Sequence, residues 1–176
     1  MFELIQMIAS IFTCIGIIIA LFDFHFMKKS TIAEHERIQK QATIDYYSSI
    51  CEKLYYLNHI IYDRYKRNRI NYYEIKDDEK ILYEIKTYLN TMEILATGIN
   101  TGIYNIHVFD RLYGDVCVRV AEQLEDYIAN RRSAINEPEM YKEFDSLVIS
   151  LKDIHNTRKG VLDERAEIKN KVYNNQ

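Results

Sequence analysis

At 176 residues the chain has room for one domain of ordinary size plus a short appendage. Its 48% apolar and 28% charged residues support a packed core and speak against wholesale disorder, while a single Pro and five Gly speak against a turn-rich β architecture. The net charge of −3 is unevenly laid out: no Lys or Arg precedes Lys28, and beyond it the bases and acids nearly balance, which leaves no global drive toward nucleic acid.

The first element in chain order is an uncharged run of 19 residues, Leu4 to Phe22, bracketed by Glu3 and Asp23. As a helix it spans roughly 28 Å, close to the hydrocarbon thickness of a bilayer, and predicts one N-terminal transmembrane helix. A cleaved signal peptide fits less well, because the front of the chain lacks a basic region and no small-x-small site follows. Lys28, Lys29, Arg37 and Lys40 follow the run, so the positive-inside rule places the N-terminus outside and the rest of the chain in the cytoplasm. The expected location is the inner or plasma membrane, with a single pass. Cys14, Cys51 and Cys117 form neither a disulfide framework nor a metal-ligand spacing, in keeping with a reducing compartment.

Residues 28–46 are mostly polar and predict a helical stalk, with Thr31 and Glu34 in the form of a capping box, so that a helix starts there or runs on unbroken from the apolar segment. From Tyr47 an apolar stripe runs through Ile50, Leu54, Leu57 and Ile61, and the helix closes near Arg64, Lys66, Arg67 and Arg69. A second helix follows Asp77, Asp78 and Glu79, with Leu82, Ile85, Leu89 and Met92 on one face and Gly98 as its stop. Asn105 caps a short helix, Gly114 marks a break or a tight contact, and a further helix reaches about Arg132. Asn136 before Glu137 and Pro138 marks another helix start, with Tyr141, Phe144, Leu147 or Val148, Leu151 and Ile154 as its stripe. After Asn156 the sequence turns polar. The expected organisation is therefore an anchor at 1–27, a stalk at 28–46, a helical bundle at 47–155 and a polar tail at 156–176. The fold class is all-α: one transmembrane helix plus a cytoplasmic bundle of about four to five helices.

A block beginning at Tyr88 carries a family resemblance: Tyr88-Leu89-Asn90, Glu93, Leu95-Ala96, Gly98-Ile99, Gly102 and Tyr104. Leu112, Gly114, Arg119, Tyr127-Ile128, Arg131-Arg132, Tyr141 and Phe144 extend it. Over about residues 45–150 the chain resembles a bacterial family of small proteins, many with an N-terminal membrane helix, catalogued as a domain of unknown function. The resemblance implies an all-helical fold and carries over no functional residues.

Three constellations carry candidate chemistry. Glu93 lies beside the core stripe of its helix and Arg119 is a possible partner; the pair reads as a tuned acid or as a structural ion pair. In a further structural reading, Glu93 accepts bonds from the backbone of the Gly98 to Gly102 loop. That loop, Gly98, Asn100 and Gly102, reads as an anion cradle or as a plain turn, since it lacks the Lys-Ser/Thr ending and preceding strand of a P-loop. Arg64, Lys66, Arg67 and Arg69, interleaved with Tyr62, Tyr65, Tyr72 and Tyr73, form a basic patch suited to phosphates or to a helix C-terminus. The five His share no metal-ligand spacing, so no metal, cofactor or catalytic residue is assigned. The favoured expectation is a membrane-tethered interaction or regulatory module with a protein partner or a homo-oligomer; nucleic acid is disfavoured. The alternative is a membrane-anchored effector that responds to a ligand or nucleic acid, with bacterial defence as one setting.

Overall fold

The computed structural model describes residues 2–66 and 68–173, and the side chains at 3–5, 7–14, 63–64 and 165–173 lie outside that description. The described chain is all-helical. It comprises α1 (Phe2–Tyr65), α2 (Tyr72–Ile75), α3 (Glu79–Asn100), α4 (Ile106–Phe109), a π-helical turn (Asp110–Gly114), α5 (Asp115–Ile135) and α6 (Lys142–Tyr173). Two compact units divide between Gln41 and Ala42.

The unit Met1–Gln41 is the N-terminal part of α1. The transmembrane expectation is corrected here: among the described residues, no helix is long and apolar enough to cross a membrane. Of the predicted span, side chains are described at Gln6 and from Ile15 to Phe22. The remainder of the predicted span, Cys14 included, lies outside the described side chains. Thr31 is not a cap either. Its hydroxyl donates to the Met27 carbonyl at 2.9 Å, one turn back in an unbroken helix, and Glu34 binds Arg37 instead of a helix end.

The unit Ala42–Gln176 holds the core. Tyr47, Leu54, Leu57 and Ile61 of α1 are buried, as the spacing predicts, and α3 buries Ile85, Leu89, Met92, Leu95 and Ala96. Asp78 caps α3 by accepting from the Ile81 amide at 3.1 Å. α3 lies against α6, whose Phe144, Leu147 and Leu151 are fully buried, and α2 lies against α5 and α3. Each such side chain contributes about 1.5–3 kcal/mol by leaving water.

Two predicted boundaries move. Gly98 does not stop its helix: α3 runs to Asn100, and Gly102, at φ 76°, takes the left-handed position that lets the chain turn. Asn136 ends a helix where a start was expected: at φ 56° it lets its amide reach back to the Arg132 carbonyl and closes α5. Asn105 caps α4 as expected, its Oδ1 accepting from the Val108 amide at 3.1 Å.

Candidate functional site

One face of α5 carries Arg119, Glu122 and Gln123, three and four residues apart. With Arg69, from the connection after α1, and Lys152 of α6, they line a cleft of about 480 Å³. Arg119 also borders a shallow recess of about 470 Å³ walled by Tyr55, Asn58, His59 and Tyr62 of α1. The Ile70 amide donates to the Gln123 carbonyl at 2.8 Å, which ties the connection to α5 and brings Arg69 to the cleft wall.

The charges of this cleft are unequally satisfied. Arg69 bonds Glu125 at 3.1 Å and Asp126 at 3.2 Å, and Lys152 bonds Glu122 at 3.0 Å. Arg119 is half-buried and makes no hydrogen bond or ion pair with another described residue. Gln123 is 4% exposed and its Nε2 has no acceptor. Close to the guanidinium lie the buried phenols of Tyr88 and Tyr113, both pushed well above the ordinary tyrosine range by burial, with Arg119 drawing them partly back.

A second polar cluster centres on Asp110, whose side chain is 2% exposed. It accepts from His155 Nε2 at 2.7 Å and from the Arg158 guanidinium, one turn apart on α6. Asp115 stands 3.6 Å from the same imidazole nitrogen. The Asp110 carboxylate packs directly over Gly114, so the expected tight contact at this glycine is real: a Cβ there would overlap Asp110 Oδ1. The π-helical turn lets α4 pass into α5 while aiming Asp110 inward at α6. A buried carboxylate held by an imidazole and a guanidinium from one stretch of α6 suits a clasp between helices.

The structure separates Glu93 from Arg119. Glu93 accepts from the Phe144 amide at 2.8 Å and the Glu143 amide at 3.3 Å, supplying negative charge at the start of α6. Asn100 donates to the Glu143 carbonyl at 3.0 Å and to its carboxylate at 2.8 Å, so the C-terminal end of α3 is fastened to the same place. Arg132 completes the junction through the Met140 carbonyl and Asp145 at 2.6 Å. The backbone amides of the Gly98 to Gly102 segment are spent internally. Thr101 donates to Thr97, Gly102 to Ile99, and Ile103 and Tyr104 both to Gly98, which leaves no cradle for an anion. Of the basic patch, Arg69 joins the cleft and Lys66 is exposed; Arg67 and the Arg64 side chain lie outside the described residues.

Sequence reasoning missed Asp110, His155, Arg158 and Gln123. His155 and Arg158 share a helical face, but Asp110 precedes them by more than forty positions, and no local pattern signals such a contact. Between α5 and α6 runs a further groove of about 410 Å³ with Ile128, Val148 and Ile149 in its lining, bracketed by the Glu122–Lys152 and Arg132–Asp145 bridges. Among the described residues no group of three His, Cys, Asp or Glu is placed to hold a metal ion.

No match is found among the curated proteins or the solved structures. A family match covers residues 10–150, which takes in α3, the Asp110 clasp's π-helical turn and the Arg119 face of α5. On that extent the chain belongs to the DUF4760 family, a domain of unknown function.

Proposed function

We propose that this protein is a helical interaction module that self-associates through the apolar stretch of α1. One observation carries the reading: between Ile15 and Met27, α1 exposes Ile17, Ile18, Ile19, Leu21, Phe22, Phe24 and Phe26 by 56–77% each. Apolar area of this size calls for a partner. Successive helix residues lie about 100° apart, so Ile17, Ile18 and Ile19 alone reach around most of the helix circumference. A dimer contact covers one stripe, so three or more copies are needed to enclose this surface. A second copy is the economical occupant because it brings an equal apolar surface. The unit beyond Gln41, with its own core, is then the part presented to other molecules.

Native mass measurement of the full chain, by sedimentation or light scattering, tests the reading. A discrete assembly of at least three 21.0 kDa chains is expected. The variant with Ile17, Ile18, Leu21 and Phe24 all changed to Ser should fall to a monomer with its helical core intact. A monomeric wild-type chain, or an assembly unaffected by the four changes, refutes it.

A further inference from the structure

We infer that the Arg119 cleft is a binding site for a small phosphate-bearing ligand with a planar ring, a mononucleotide in chemical class. The other two cations of the cleft are spoken for, Arg69 by Glu125 and Asp126 and Lys152 by Glu122, whereas Arg119 makes no hydrogen bond or ion pair with another described residue. The guanidinium borders both open spaces and can exchange water for an anion there. Gln123 Nε2, nine-tenths buried and without an acceptor, is a second donor in want of oxygen at the same wall. A phosphate group, with several acceptor oxygens, satisfies the Arg119 guanidinium, whose fork matches it in two-point geometry. Glu122 pairs with Lys152, and Glu125 and Asp126 share Arg69, which leaves Arg119 as the cation of the lining without an ion pair among the described residues.

The planar part follows from the neighbouring recess. Arg119 stands between the cleft and the wall formed by Tyr55, Asn58 and Tyr62, so a group attached to the bound phosphate reaches two phenol rings and a side-chain amide. Tyrosine faces accept a stacked ring, and an asparagine amide both donates to and accepts from the edge of a base.

Isothermal titration of the full chain with AMP, adenosine and inorganic phosphate provides the test. AMP should bind with adenosine at least about tenfold weaker, and raised salt should weaken AMP. R119Q should lose AMP binding by at least about tenfold at unchanged Tm and native mass, with R119K retaining part of it. Y55A should weaken AMP several-fold while leaving phosphate unaffected. Absence of AMP binding at millimolar concentration, equal affinity in R119Q, or binding of single-stranded oligonucleotides alone would overturn the assignment.

Discussion

Gly98→Ala is the sharpest test of how this core is assembled. Gly98 lies inside α3 and is buried, so by intrinsic propensity alone alanine should stabilise the helix by about 1 kcal/mol. The packing opposes this. A Cβ at Gly98 would come inside 3.0 Å of both Cδ2 and Cε2 of Tyr104. The ring cannot swing away freely, because it stacks on Tyr46 at 5.1 Å with planes 19° apart. Its backbone is held too, by the Tyr104 amide bond to the Gly98 carbonyl at 2.9 Å. Overpacking of this kind costs about 1–3 kcal/mol after the helix gain is offset, or roughly 2–12 °C in Tm. Urea unfolding followed by tyrosine fluorescence suits a chain with 15 Tyr and no Trp. The control is Tyr104→Ala: on that background the same Gly98→Ala change should become neutral or stabilising, a coupling of about 1–3 kcal/mol. A Gly98→Ala protein as stable as wild type, or equally destabilised on both backgrounds, refutes the reasoning.

Three more outcomes are expected. Glu93→Gln keeps an acceptor oxygen but removes the charge at the α6 N-terminus, so about 1 kcal/mol of stability should be lost by urea titration; a stabilised variant would contradict the capping role. Asp110→Asn turns an amide toward His155 and Arg158 in a buried site and should cost about 2–3 kcal/mol, whereas Asp115→Asn, at an 88% exposed carboxylate, should change Tm little; equal effects would count against the clasp. Burial pushes the Tyr127 phenol up to about 12, and Tyr88 and Tyr113 are raised as well. Below the ordinary tyrosine value both folded and unfolded states keep these protons; between about 10 and 12 only the unfolded chain releases them, so stability falls as pH rises through that window. Phenolate absorbance from these residues should therefore appear together with loss of helical circular dichroism, and its appearance in the fully helical protein would exclude the effect.

The sequence by itself determined the helical class, the core stripes and the Asn105 cap, because these depend on neighbours within one or two turns. Leu54, Leu57 and Ile61 recur at helical spacing and are buried, Asn105 caps the helix that follows it, and the acids Asp77 to Glu79 stand at the start of α3 as their charge suggests. Local pattern misled where one residue type serves two geometries. Asn136 suits a helix start as well as a left-handed stop, and the closing bond back to Arg132 decided the matter. Length misled at the N-terminus, where an uncharged run was matched to a bilayer although no described helix has the extent and apolarity to span one. Tertiary structure alone decided the polar sites. It sent Glu93 to the start of α6, left Arg119 facing a cleft, and joined Asp110 to His155 and Arg158. Such contacts link residues tens of positions apart, and only the packing of one helix on another sets their distance, so no spacing along the chain encodes them.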